Sequence, residues 1–184
     1  NATTPALGIL YRLAPATSLY ANYGRGFETP TFSEMAYSSS GAPGLNFALE
    51  PEKSRSMETG IKTLIGPNLR LNAALYDVET HDEIVVDSNV NGRTTYTNAG
   101  KTRRRGIELG ADATLPHGFD ASLAWTVLDT KILDGYSTSL SGNVAAGNVL
   151  PGVPRASLYG ALRWRHEIGR ASCRERLYIS VVAR

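Results

Sequence analysis

Cysteine is almost missing from this 184-residue chain: Cys173 stands alone, so no disulfide framework can brace the fold. No run of about eighteen apolar residues occurs, which excludes a transmembrane helix. A basic-plus-apolar leader is also missing, and the chain opens in what reads as mid-strand, so a truncated start is expected. An excess of charge of one sign is lacking too. The chain holds 19 basic and 17 acidic residues. Four Arg and two Glu between Glu167 and Arg184 account for that whole difference, which leaves 1–166 neutral. Nucleic-acid binding therefore has no electrostatic support. The three histidines have no companion nucleophile and acid in a supporting context, so no catalytic residue is assigned and an enzyme is not expected. Gly24-Arg25-Gly26 precedes no helix pattern and is not a phosphate loop.

What the chain does have is alternation. Phe119, Ala121, Leu123, Trp125 and Val127 interleave with Asp120, Ser122, Ala124 and Thr126. Ile107 to Leu115, Leu69 to Leu75 and Leu158 to Trp164 repeat the pattern, and Leu7 to Leu13 and Leu19 to Tyr23 give shorter examples. A period of two sends successive side chains to opposite faces of a sheet, one apolar and one polar. The connections alternate as well. Ala14-Pro15-Ala16, Gly66-Pro67-Asn68 and Pro116-His117-Gly118 are short turns. Residues 26–52, a hairpin tip at Asn91-Gly92 and residues 134–152 make long excursions between them.

In water the apolar face would need a second layer, whereas in lipid it is already satisfied. A soluble sheet with one wet face gives the same alternation. Loop sorting and strand length favour the membrane: residues 68–90 and 93–115 run without proline, far beyond the globular norm of about five or six. Bilayer crossing takes about nine to eleven tilted residues, and the excess can project as a hairpin. The expected architecture is all-β, an antiparallel meander of about seven strands near 6–13, 17–25, 53–65, 69–90, 93–115, 119–133 and 154–166. Seven strands with bare edges cannot close, so 1–166 is read as an incomplete sector of a transmembrane β-barrel.

Several peptides resemble the C-terminal half of the barrel of TonB-dependent outer-membrane receptors, the siderophore-uptake branch in particular. They are Tyr20-Ala-Asn-Tyr-Gly-Arg-Gly-Phe-Glu-Thr-Pro30 with Phe32-Ser-Glu34, then Leu49-Glu-Pro-Glu-Lys-Ser54 with Glu58-Thr-Gly60. Tyr96-Thr-Asn-Ala-Gly100 with Arg105-Gly-Ile-Glu-Leu-Gly110, and Leu150-Pro-Gly-Val-Pro154, follow in the family's order. The resemblance implies a barrel of about 22 strands around an N-terminal plug. It further implies a bacterial outer-membrane location, a ferric siderophore as transported ligand, no resident cofactor, and coupling to the TonB–ExbB–ExbD system through the plug. The stretch Ile168-Gly-Arg-Ala-Ser-Cys-Arg-Glu-Arg176 instead resembles translated cloning or adaptor sequence, so 167–184 is read as a non-native tail. A passive porin-like barrel and a soluble β-sandwich binding module are the alternative functions.

Candidate sites are few. His81-Asp82-Glu83 invites a metal reading, but neighbours in a strand point to opposite faces, so no metal site is assigned. Tyr37 and Tyr136, in the two longest loops, are the candidate ligand contacts, able to stack on planar groups. Arg103 and Arg105 share parity with Ile107 and Leu109, hence the lipid side. Near the outer rim they are candidate contacts for lipid or lipopolysaccharide phosphates, with ordinary solvation above the membrane as the alternative. Trp125 and Trp164 are expected as lipid-facing or girdle residues.

Overall fold

In the computed structural model, described over residues 3–38, 44–165 and, for the backbone alone, 176–183, nearly every residue outside the loops is in a strand. The main sheet runs β1 (Ala6–Ala14), β2 (Thr17–Glu28), β3 (Glu52–Ile65) and β4 (Leu69–His81). After an excursion carrying β5 (Ile84–Val90) and β6 (Arg93–Asn98), it resumes with β7 (Lys101–Leu115) and β8 (Phe119–Ile132). A second excursion holds β9 (Tyr136–Thr138) and β10 (Gly142–Val144) before β11 (Ala156–Arg165) and β12 (Arg176–Ala183). Every neighbour in the order β1-β2-β3-β4-β7-β8-β11-β12 pairs antiparallel, which makes the sheet a plain meander.

Three expectations are corrected. The long strand expected at 69–90 breaks at Asp82, whose φ of 58° lies in the left-handed region, and β5 leaves the main sheet. The strand expected at 93–115 breaks at Ala99-Gly100 in the same way. Periodicity cannot see such breaks, because both halves keep the alternation. The third correction concerns the tail. The sheet was expected to stop before Glu167, yet Arg176–Ala183 pairs with β11 from Leu158↔Ala183 to Arg165↔Arg176 and adds an eighth strand. The edge of β11 offers unpaired N–H and C=O groups, and a chain containing Ile179, Val181 and Val182 has the β-branched composition to meet them.

Turns carry the residues their geometry demands. Asn91 and Gly92 have φ of 51° and 75°, both positive as the tight hairpin between β5 and β6 requires. Inside the sheet, Tyr20 pairs with Gly60, and a Cβ added at Gly60 would come within 2.6 Å of the Tyr20 ring. The tyrosine thus lies flat over its cross-strand glycine while its hydroxyl donates to Glu58 at 2.6 Å.

The register puts most of the large apolar members of the strands on one face, with exceptions such as Leu10 and Leu64. Along one row Leu19, Ile61, Ala73, Leu109, Trp125 and Leu158 are cross-strand partners. That face is bare: Leu7 is 73% exposed, Leu75 54% and Leu123 51%. Leaving such surface in water costs about 25 cal/mol per Å², so a face of this extent needs hydrocarbon against it. The buried apolar side chains among the described residues are Leu49, Ala74, Ala99, Ile132 and Leu150, none of them on that face. Four of these sit in the long loops or where strands meet them. No helix among the described residues is long and apolar enough to cross a membrane; the strands do the crossing.

Candidate functional site

The strands β2, β4 and β8 end where the three long connections begin, so the described parts of the first, 29–38 and 44–51, together with 82–100 and 133–155, all belong to one rim. They are tied to one another. The first connection holds a helical turn, α1 (Phe32–Met35), started by a capping box in which Thr31 and Glu34 satisfy each other. It docks on the second at three places. Arg93 lies over the Tyr37 ring at 5.3 Å, Asn46 Nδ2 donates to the Tyr96 carbonyl at 3.4 Å, and Glu50 N donates to Asn98 Oδ1 at 2.8 Å.

Asp87 joins the second connection to the third. It sits at a bulge, where the β5–β6 register slips between Val86 and Ser88, and a bulge re-aims a side chain. Its carboxylate accepts from Ser139 N at 2.8 Å, from Ser139 Oγ at 3.3 Å and from Thr95 Oγ1 at 3.3 Å. Its carbonyl accepts from Leu140 N at 2.8 Å. Glu83 anchors the base of the second connection to the sheet through Thr102 and Arg104. A polar, cross-linked platform results, with Phe32, Phe47 and Leu140 exposed on it.

His81, Asp82 and Glu83 separate as strand parity requires. His81 meets Glu79, Asp82 meets Lys53, and Glu83 turns to Thr102 and Arg104. Among the described residues no cluster of three or more His, Cys, Asp or Glu side chains is arranged to hold a metal. Tyr37 lies on the platform against β6, whereas β9, carrying Tyr136, lies against β5. The β5–β6 hairpin therefore stands between the two candidate tyrosines. Sequence reading missed Arg93, Asp87 and Asn98. Only Asn91-Gly92 marked the hairpin that carries their contacts.

Arg103 and Arg105 lie on the apolar side of β7, as parity requires. Arg105 is ten residues from Leu115, which at about 3.4 Å per residue and a tilt of about 40° puts it roughly 26 Å above the short turn. That is the top of an apolar band about 25 Å tall. Neither guanidinium is unpaired: Arg103 forks onto Asp77, and Arg105 Nε reaches Asp129 at 3.2 Å. At the opposite end Trp164 stacks beside Phe119 with centroids 6.1 Å apart, and its indole N–H donates to the His117 carbonyl at 3.2 Å. An amphipathic indole in such a position suits a membrane–water boundary.

Residues 1–178 match the family model described as TonB dependent receptor-like, beta-barrel. The chain belongs to this family. Among curated relatives, "Probable TonB-dependent receptor BfrD" of Bordetella pertussis is 31% identical over 150 residues, covering 81% of this chain and 19% of the relative. The metal-pseudopaline receptor CntO of Pseudomonas aeruginosa is 27% identical over 169 residues, covering 90% of this chain and 21% of the relative. The chain thus spans about a fifth of the length of these relatives. The ferric yersiniabactin uptake receptor FyuA from Yersinia pestis shares the fold at TM-score 0.65 and 20% identity, over 96% of this chain and 25% of that structure. This sector of a TonB-dependent receptor barrel belongs to an outer-membrane family. Membership sets aside the passive porin and the soluble sandwich.

Proposed function

We propose that this sector serves an outer-membrane receptor that captures a ferric siderophore at the cell surface and passes it inward by coupling to the TonB–ExbB–ExbD system. Support comes from the platform in which three connections from one rim are locked together, with the Tyr37–Arg93 pair on it. A flat ring with a guanidinium over it offers stacking and positive charge to an anionic, planar chelate. Tyr136 on the third connection is the proposed second contact, reaching the ligand from the other side of the β5–β6 hairpin. The name of the relative CntO, a metal-pseudopaline receptor, fits a metal–chelate cargo of this kind.

The test is uptake of radioactive iron presented as a panel of ferric siderophores to cells whose only such receptor carries this sequence. One siderophore should support uptake that collapses when the proton gradient is discharged. Tyr37→Ala should weaken binding of that siderophore by about tenfold, as loss of one aromatic contact of about 1.4 kcal/mol implies. Uptake that persists without the gradient would refute energy coupling. Affinity for every ferric chelate unchanged in the Tyr37→Ala, Tyr136→Ala double variant would refute the assigned contacts.

A further inference from the structure

On the apolar side of the sheet, just above the oily rows, Arg25 of β2 and Arg55 of β3 are direct cross-strand partners. Like charges placed opposite each other destabilise a ladder unless something neutralises them. The nearest carboxylate is Glu79, the partner of Arg55 on β4. It is already engaged by Lys101 Nζ at 3.0 Å and His81 Nε2 at 3.2 Å, and Arg55 approaches it only to 3.7 Å. Arg25 Nε donates to the Tyr23 hydroxyl at 2.9 Å, which supplies no charge. Lys53, two residues along β3, adds a further cation with Asp82 at 3.4 Å. Arg25, Arg55, Lys53, His81, Glu79 and Phe27 are among the residues lining a groove of about 640 Å³. Arg103, by contrast, forks onto Asp77, and Arg105 reaches Asp129 at 3.2 Å although Lys131 shares that carboxylate at 3.8 Å. Among the described residues Arg25 has no carboxylate within ion-pair distance, so positive charge is in surplus at the β2–β3 pair.

We infer that Arg25 and Arg55 clamp a phosphate of an outer-leaflet lipid. Two guanidinium forks facing one groove match the oxygens of a phosphate, which accepts in pairs. What makes the anion a lipid is the rest of the face. Immediately toward the short turns come Tyr23 and Met57, then Ala21 and Thr59, then Leu19 and Ile61, all on the same side. A phosphate with acyl chains uses clamp and rows together, whereas a soluble anion leaves the rows bare. The depth agrees, because Arg55 lies ten residues from Ile65 at the short turn, as Arg105 does from Leu115, which sets it at the top of the apolar band. The clamp rests on the outer-membrane placement and is independent of the cargo.

The experiment uses the receptor carrying this sequence, extracted from outer membranes, delipidated in detergent and immobilised, with retention of added lipid A from mixed micelles reading the bound lipid. Replacing both arginines, R25Q with R55Q, should lower lipid A binding about thirtyfold, at about tenfold or less per cation near a membrane surface. R25K with R55K should recover part of that, keeping charge without the fork. Lys62→Gln, on the opposite face, should bind as the native protein does, and siderophore uptake should survive in R25Q/R55Q. A heat-dependent gel shift reports folding, with R55Q alone measured if the double variant lacks it. Native-level lipid A binding by the folded glutamine variants overturns the inference. So does equal binding of dephosphorylated lipid A, or displacement of lipid A by inorganic phosphate, which would assign the groove to a soluble anion.

Discussion

At the scale of single residues, Asp87 decides how the rim is organised. It is only 7% exposed, and a buried carboxylate survives only when its oxygens are hydrogen-bonded. Here the partners come from the third connection and from β6. Removing the carboxylate in Asp87→Ala leaves the Ser139 amide without its acceptor, at a local cost of about 1–3 kcal/mol. The barrel ladder does not pass through Asp87, so the loss should stay local. Limited proteolysis within 133–155 should rise several-fold while the heat-dependent gel shift of the folded barrel is unchanged. A general loss of that shift would mean that Asp87 supports the whole sheet. Glycine at position 60 acts differently, by giving the Tyr20 ring a flat place to lie.

At the scale of elements, each strand carries a depth scale. Along β8 the outward residues run Phe119, Ala121, Leu123, Trp125 and Val127 before reaching Asp129 and Lys131. Leu123 lies four residues from Phe119, roughly 10 Å up a strand tilted by about 40°, near the middle of the oily band. Leu123→Arg should therefore cost about 2–4 kcal/mol in lipid, while Arg105→Leu at the rim should change stability by less than about 1 kcal/mol. Denaturant titration in lipid vesicles checks both. Equal penalties at the two positions would place the rim and midplane elsewhere. The strand breaks at Asp82 and Gly100 belong to this scale too, since they free β5 and β6 from the sheet to become the hairpin arm of the platform.

At the scale of the molecule, the apolar face has nothing over it among the described residues, and the family lives in the outer membrane. The receptor carrying this sequence should stay in the membrane pellet through high-pH carbonate washing and leave it only with detergent. Release by carbonate alone would contradict hydrocarbon contact along the rows from Leu19 to Leu158. Rim and band then divide the labour. The platform is the proposed meeting place for cargo, and the belt below it carries the Arg25–Arg55 pair proposed to hold a lipid phosphate.

By itself the sequence determined the meander, the face each strand residue occupies, the end that carries the long connections, and the family, because all of these follow from the period of two, from turn chemistry and from peptides read in order. Parity alone put Arg103 and Arg105 with Ile107 and Leu109, and it separated His81 from Asp82. Only the tertiary structure decided what those side chains meet. Asp77 pairing with Arg103, Glu79 meeting Arg55 at 3.7 Å, and Asp87 reaching Ser139 join residues 26, 24 and 52 positions apart in the chain. Strand register and loop docking bring such residues together, and a local pattern carries no record of distances set by partners so far along the sequence. The same holds for the end of the sheet, where pairing with β11 makes a strand of Arg176–Ala183.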